Sequence, residues 1–124
     1  MTAVPIRIVV VDDSPLYRGT ICNMLEKQPK LQVVAEAEDG LAAVQAVEKH
    51  EPDVVLMDIS MPVLNGIDST KIITSKYPKV RVIVLSMHDV ESISESACKA
   101  GACWCLNKAC SPKEVFKAIM TAGI

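Results

Sequence analysis

The chain has 124 residues, enough for one compact domain with a hydrophobic core, and we expect residues 1–124 to form that domain. Thirteen basic and fifteen acidic residues give a formal net charge of −2, and no cluster of lysine or arginine favours direct binding of nucleic acid. The first residues lack the pattern of a signal peptide, and no apolar run approaches the ~20 residues of a transmembrane helix, which predicts a soluble, cytosolic domain without a membrane partner.

Apolar runs that predict strands alternate along the chain with patterns that predict helices. The segment Ile6–Val11 is β-branched apart from Arg7, as expected for a strand buried on both faces. Ser14 then serves as a helix cap and Pro15 as the first helical residue. The apolar stripe of this helix consists of Tyr17, Ile21, Met24 and Leu25. Pro29 ends the helix.

The same alternation repeats four more times. The further predicted strands span residues 31–35, 54–57, 81–85 and 103–106. The further predicted helices span residues 39–50, 66–77 and 90–100, and a last one begins at residue 112. Gly101 fits the cap that ends the fourth helix, and Ser111 the cap that begins the fifth. The side chains expected to face the core from these helices are Val44, Val47, Ile93, Ala97, Ala100, Val115 and Ile119.

Five strand–helix units with short connections predict an α/β fold. The strands should form a parallel sheet joined by right-handed crossovers, with helices on both faces. Sheets of this kind bind ligands beyond the carboxyl ends of their strands. The residues that carry chemistry should therefore lie just after each apolar run.

Polar residues do follow four of the predicted strands. Asp12 and Asp13 come after the first strand, Asp58 after the third, Ser86 after the fourth and Lys108 after the fifth. Carboxylates that converge in one crevice repel each other by roughly 4 kcal/mol per pair at about 4 Å with intermediate screening. They require a cation, and oxygen ligands with positions left open for phosphate oxygens suit Mg2+.

The same residues fit the transfer of a phosphoryl group to a carboxylate. Asp58 is the candidate nucleophile, because aspartate can form an aspartyl-phosphate. Lys108 and the Ser86 hydroxyl could each bind one oxygen of the phosphoryl group. Taken singly, Asp13 could be a helix cap, Asp12 a loop acid and Asp58 the start of a turn. The functional interpretation depends on all five residues falling at strand ends of one predicted sheet.

Four segments together resemble the response-regulator receiver family of two-component signalling, over essentially the whole chain. They are residues 9–14 (VVVDDS), 53–62 with Asn65-Gly66 (DVVLMDISMP…NG), 84–89 (VLSMHD) and 100–108 (AGA…K). The resemblance implies a single doubly wound fold of the flavodoxin-like or CheY-like type. Its parallel sheet would have five strands in the order 2-1-3-4-5.

The resemblance also implies roles for the residues at the strand ends. Asp58 would accept a phosphoryl group from a sensor histidine kinase, or slowly from small phosphodonors, in a protein that is not a conventional enzyme. Ser86 and Lys108 would hold the phosphoryl group. The implied ligands of Mg2+ are the carboxylates of Asp13 and Asp58, the main-chain carbonyl of Ser60 and, largely through water, Asp12.

The implied output is a change of surface. Phosphorylation would pull Ser86 and its loop inward and repack the face formed by the fourth helix, the fifth strand and the fifth helix. Residues 82–89 look most like receivers that precede a LuxR-type helix-turn-helix domain in NarL/FixJ-like transcription regulators. DNA would then be bound only through a separate output domain, and a homodimer could form on phosphorylation.

The sequence departs from the family pattern where the signal is read out. The family usually has Tyr or Phe three residues before the lysine, where this chain has Cys105. Trp104 is displaced by one residue and should point to the opposite face of the strand. Ala109 follows Lys108 where proline is common, and a cis bond there would cost more without proline. The hydroxyl residue, Ser86, is the smaller of the two that the family permits.

These departures leave open an interaction module that works without phosphorylation. A Mg2+-dependent phosphatase with Asp58 as the covalent intermediate is a third interpretation. It lacks a general acid, since Ser60 stands two residues after Asp58 where a second carboxylate would be needed. In the resembled fold Ser60 and His88 flank the approach of water to the acyl phosphate, which predicts that both tune its lifetime. The alternative for His88 is an exposed loop residue.

The cysteines are odd in number, which favours reduced thiols over a disulfide framework in a chain without a secretory signal. They are Cys22, Cys98, Cys103, Cys105 and Cys110. No C-x-x-C pair occurs, and Cys103 and Cys105 fall in a strand predicted to be buried. We expect these cysteines to be small, buried apolar side chains, with a metal or redox role as the alternative.

Overall fold

The computed structural model describes residues 4–59, 64–87 and 90–122, without the side chains of 90–92. The strands are β1 (Ile6–Val11), β2 (Leu31–Ala37), β3 (Val54–Asp58), β4 (Arg81–Ser86) and β5 (Trp104–Asn107). The helices are α1 (Pro15–Glu26), α2 (Gly40–His50), α3 (Gly66–Lys76), α4 (Val90–Lys99) and α5 (Pro112–Ala122). In the described part of the chain, no helix is long and apolar enough to cross a membrane.

The strands form one sheet in the order β2-β1-β3-β4-β5, and neighbouring strands are parallel. This confirms the predicted α/β fold and the strand order. The β1–β2 pairing shifts by one residue between Ile8 and Val9. Strand β2 runs two residues beyond its predicted end, because the Asp12 N–H continues the ladder by donating to the Ala37 carbonyl at 3.0 Å.

Apolar side chains cover both faces of the sheet, because alternate residues of each central strand point to opposite sides. Ile8 and Leu56 lie on the face that packs against α1 and α5, and Val9 and Val55 on the face that packs against α2, α3 and α4. Full burial of a side chain of this size contributes about 1.5–3 kcal/mol. Of the seven core positions predicted in the later helices, five are buried: Val47, Ala97, Ala100, Val115 and Ile119.

Side-chain caps fix where the helices begin. The Ser14 hydroxyl accepts a hydrogen bond from the Tyr17 N–H at 3.3 Å, which confirms the predicted cap of α1. Asp39 caps α2 by accepting from the Ala42 N–H at 2.7 Å, so the helix begins one residue later than predicted.

The end of α4 confirms Gly101 as its cap. Gly101 has a φ of +103°, a conformation that glycine adopts without strain. Its N–H donates to the Cys98 carbonyl at 3.0 Å, and the Ala102 N–H donates to the Ala97 carbonyl at 3.0 Å. This pair of bonds is a Schellman motif, and it turns the chain directly into β5.

The prediction that β5 is a buried strand was wrong. Trp104 is 45% exposed, Cys103 is exposed and Cys105 is half-buried. The physical reason is that β5 lies at the edge of the sheet and pairs only with β4. All five cysteines are free thiols, as expected, but Cys98 and Cys103 are exposed rather than buried.

Candidate functional site

Three carboxylates converge at the carboxyl edge of the sheet, as the strand-end pattern predicts. Asp12, Asp13 and Asp58 each place a carboxylate oxygen within 4.8 Å of the other two. Asp12 is 1% exposed and Asp58 is 4% exposed, whereas Asp13 is exposed. Among the described residues, no other group of three or more potential metal-binding side chains comes this close.

Asp58 is held rigidly because it is the last residue of β3 and α3 begins close by. The Ile59 N–H donates to the Leu85 carbonyl at 3.2 Å, and the Gly66 N–H donates to the Ile59 carbonyl at 2.9 Å. A Cβ atom on Gly66 would overlap the carbonyl oxygen of Asp58. Glycine at this position therefore permits the close approach that seats the acidic side chain.

Asp12 is oriented by contacts on both sides. Its Oδ1 accepts a hydrogen bond from the Ser14 N–H at 2.8 Å. Its carbonyl accepts from Nη1 of Arg18 at 2.7 Å, and Nε of Arg18 donates to Glu36 at 3.0 Å. Oδ2 of Asp12 is thereby directed into the site.

Lys108 supplies the positive charge of the site. Its Nζ lies 2.7 Å from Oδ2 of Asp12 and 3.6 Å from Oδ1 of Asp58, and its side chain is 9% exposed. Oδ2 of Asp12 is buried and accepts no well-directed hydrogen bond, so the contact with Lys108 is ionic. One ammonium contacts two buried carboxylates, and the exposed Asp13 carboxylate lies close to both, which leaves an excess of negative charge at the site.

Ser86 reaches the same edge as the last residue of β4 and is 1% exposed. Its carbonyl accepts a hydrogen bond from the Lys108 N–H at 2.9 Å. This bond ties the loop after β5 to the end of β4, so Ser86 and Lys108 are positioned together.

The loop that carries Lys108 is closed by a turn around Asn107. Oδ1 of Asn107 accepts a hydrogen bond from the Ala109 N–H at 2.7 Å, and the Asn107 carbonyl accepts from the Cys110 N–H at 2.9 Å. Proline lacks the N–H that Ala109 uses, so this turn is specific to a non-proline residue. No described peptide bond is cis.

Tyr17 belongs to the site, although its place in the apolar stripe of α1 predicts only packing. Lys108 Nζ lies over the Tyr17 ring, 4.3 Å from its centroid, and the Tyr17 hydroxyl donates to the Lys108 carbonyl at 3.4 Å. A cation over an aromatic face is stabilised by the ring quadrupole. The sequence feature that could have indicated this role is the position of Tyr17, one helical turn after Asp13 and close to the edge of the sheet where the strands end.

Burial and the nearby Asp12 carboxylate raise the pKa of Tyr17 from 10.0 to about 12. The folded state therefore favours the neutral phenol. The contribution of neutral Tyr17 to the free energy of unfolding is fully present below pH 10 and is lost as the pH rises towards 12. We expect Tyr17→Phe, which cannot ionise, to lose less stability than the wild type between these pH values in urea unfolding. If Tyr17→Phe loses stability as steeply as the wild type between these pH values, the shift is not at Tyr17.

The oxygen donors of the site fit a hard divalent cation. Carboxylate oxygens are the ligands that Mg2+ prefers, and the excess negative charge would favour the binding of such a cation. Oδ2 of Asp12, which lacks a well-directed hydrogen bond, is an available lone-pair donor. Ser60 and His88 lie outside the described residues, so the implied carbonyl ligand and the effect on lifetime stay predictions.

Comparison with known proteins agrees with this arrangement. A family model described as the response regulator receiver domain matches residues 8–120. The chain belongs to the response regulator receiver family. This receiver domain also superposes on the signal receiver domain of NarL from Mycobacterium tuberculosis with a TM-score of 0.93 and 34% identity, covering 98% of each chain.

Two relatives of this receiver domain are transcriptional regulatory proteins by name. It is 43% identical to DegU of Brevibacillus brevis over 114 residues, covering 92% of this chain and 48% of DegU. It is 38% identical to LnrK of Bacillus subtilis over 116 residues, covering 94% of this chain and 53% of LnrK. The chain thus spans about half the length of these relatives.

Proposed function

We propose that this receiver domain accepts a phosphoryl group on Asp58, in a Mg2+-dependent reaction with a sensor histidine kinase as donor. The observation that carries the proposal is that Asp58 is almost fully buried beside two further carboxylates and the Lys108 ammonium. Burying several like charges is costly for the fold, and such clusters concentrate at functional sites. Residues 1–124 would form one receiver domain that carries out this reaction.

The five side chains at the strand ends each have a part in the proposed transfer. A carboxylate oxygen of Asp58 forms the new bond to phosphorus as the phosphorus–nitrogen bond of the phosphohistidine breaks. Lys108 leaves Asp12 to bind one phosphoryl oxygen, and the Ser86 hydroxyl donates to another. Bound Mg2+ would neutralise charge that develops on the phosphoryl oxygens. Its proposed ligands are Asp12, Asp13, Asp58 and the carbonyl of Ser60.

The proposed signal leaves through α4, β5 and α5. Ser86 pairs with Asn107 across β4 and β5, so an inward movement of Ser86 acts on the edge strand directly. Two residues before Asn107, Cys105 pairs with Val84. Cys105 occupies the position at which the family usually has an aromatic side chain. The surface change would therefore be transmitted by strand displacement rather than by rotation of an aromatic ring.

The wider context is proposed from the relatives. DegU and LnrK are named as transcriptional regulatory proteins, and this chain covers about half of each. We propose a cytoplasmic regulator in which a separate output domain binds DNA. Phosphorylation would favour a homodimer of such a regulator.

Acetyl phosphate tests the proposal without the kinase. With Mg2+ present, we expect the protein to gain the mass of one phosphoryl group, and we expect no gain when EDTA removes the metal. Intact mass spectrometry measures both results. If the protein gains no phosphate under conditions that label another receiver domain, the proposal fails.

An interaction module that works without phosphorylation is the second candidate, favoured by the small Cys105 at the readout position. Its prediction is that dimerisation is the same in Asp58→Asn and in the wild type supplied with phosphodonor and Mg2+. A dimer that appears only in the phosphorylated wild type would exclude it. Analytical ultracentrifugation separates the two outcomes.

A further inference from the structure

A cavity of about 190 Å³ lies on the α4 side of β5, and three thiols border it. Cys105 belongs to β5 and Cys103 directly precedes that strand, and both line the cavity. Cys98 comes from the last turn of α4 on the other side of the cavity. We name this space the thiol cavity.

The thiol cavity exists because the side chains around it are small. Ala97 and Ala102 line it together with Cys105, which occupies the position of the usual aromatic residue. Trp104 also lines the thiol cavity, and it lines a second cavity of about 210 Å³ beside α5 as well.

The thiols differ in their access to reagents. Cys98 and Cys103 are exposed, whereas Cys105 is half-buried and burial raises the pKa of its thiol. The thiolate is the reactive form, so Cys105 is the least reactive of the three. Cys103 directly precedes β5, and its N–H donates to the Val82 carbonyl at 2.8 Å, whereas Cys98 belongs to α4. Cys103 is therefore the exposed thiol whose adduct would act on β5.

We propose that the thiol cavity is a modification site, at which Cys103 forms a mixed disulfide with a low-molecular-weight disulfide and the adduct occupies the cavity. The Cys103 thiolate attacks one sulfur of the small disulfide. A new sulfur–sulfur bond forms, the original one breaks, and the released thiolate takes a proton from water. The small disulfide is the oxidant, and an added thiol reverses the reaction.

The cavity shares its strands with the phosphoryl site. Cys105 forms the cavity wall and pairs with Val84, while Ser86 pairs with Asn107 two residues further along the same strands. The Lys108 N–H donates to the Ser86 carbonyl at 2.9 Å. An adduct that presses on Cys105 therefore displaces the strands that hold Ser86 and Lys108. By linkage, phosphorylation then changes the equilibrium extent of adduct formation on Cys103. This step rests on the proposed function.

Cystine is the probe, and intact mass with peptide mapping is the measurement. We expect the first adduct on Cys103, and Cys103→Ser should slow its formation at least about tenfold. Cys110→Ser, outside the cavity, should leave the rate unchanged. A first adduct on Cys98, Cys105 or Cys110 at the wild-type rate overturns the proposal.

A matched pair at Cys105 tests the cavity itself. Cys105→Phe fills the space and should slow the reaction of Cys103 about tenfold, whereas Cys105→Val keeps the space and should not. If Cys105→Phe does not fold, the size of the disulfide is varied instead of the size of the cavity. Glutathione disulfide has tripeptide arms that exceed the cavity, so it should react with Cys103 more slowly than cystine does. Equal rates in these comparisons overturn the role of the cavity.

The coupling between phosphorylation and formation of the cystine adduct is measured with the same mass spectra. In the wild type, acetyl phosphate and Mg2+ should change the equilibrium extent of cystine adduct at least about threefold, and in Asp58→Asn they should not. An unchanged extent in phosphorylated wild type overturns the coupling. Failure of the proposed function is distinct, since it shows as a missing phosphate mass while the cystine adduct still forms.

Discussion

Asp58→Asn is expected to slow phosphate incorporation from acetyl phosphate by at least about a hundredfold, equivalent to about 2.7 kcal/mol of activation free energy. The amide keeps the shape of the side chain but lacks the negative oxygen that attacks phosphorus. It also removes one of the three clustered carboxylates, so Mg2+ affinity should fall together with the rate. Phosphate incorporation is followed by intact mass spectrometry at saturating Mg2+.

The matched control for Asp58→Asn is Asp53→Asn. Asp53 precedes the same strand at its opposite end, is exposed, and accepts a hydrogen bond from the Arg7 N–H at 2.9 Å. The control variant should incorporate phosphate at the wild-type rate. Phosphate found on Asp12 or Asp13 in Asp58→Asn, at a rate near that of the wild type, would show that Asp58 is not the acceptor.

Much of the fold was predictable because local and global signals agree. Strands such as β3 are continuous apolar runs of a length suited to a sheet covered on both faces, and Val54 to Met57 are almost fully buried. The cap residues Ser14 and Gly101 mark helix ends through the conformations that they favour, and both predictions are confirmed.

The exposure of β5 was mispredicted from its apolar run alone. An apolar run predicts burial only if the strand has neighbours on both sides, and β5 has one. The strand order implied by the family resemblance already puts the fifth strand at the edge. Combining the two observations would have predicted that Cys103 and Trp104 are exposed.

The site was predictable where it follows the strands and not where it depends on contacts between distant segments. Asp12, Asp58 and Ser86 lie at or just beyond strand ends, so the topology alone brings them together. Tyr17 contacts Lys108 across 91 residues of sequence, and a tyrosine in an apolar stripe resembles any other core aromatic. Its role appears only when the side chains are placed.

Lys108→Met is expected to lower the free energy of unfolding by about 3 kcal/mol in the absence of Mg2+. The Lys108 side chain is largely buried, and its Nζ lies 2.7 Å from Oδ2 of Asp12, which has no well-directed hydrogen bond to replace this contact. Removing the ammonium leaves Asp12 and Asp58 as buried charges without their counter-ion. The variant should also incorporate phosphate more slowly, since it lacks a ligand for a phosphoryl oxygen.

Added Mg2+ should restore the stability that Lys108→Met loses but not its rate of phosphorylation. Added Mg2+ stabilises only the folded state, in proportion to its binding, so its effect on the urea midpoint should be larger for Lys108→Met than for the wild type. Lys108→Arg, which keeps the charge near Asp12, is the matched control and should retain most of the stability. If Lys108→Met unfolds at the wild-type urea concentration without Mg2+, the ammonium does not compensate the buried carboxylates. A phosphorylation rate restored by Mg2+ alone would show that Lys108 has no separate role in holding the phosphoryl group.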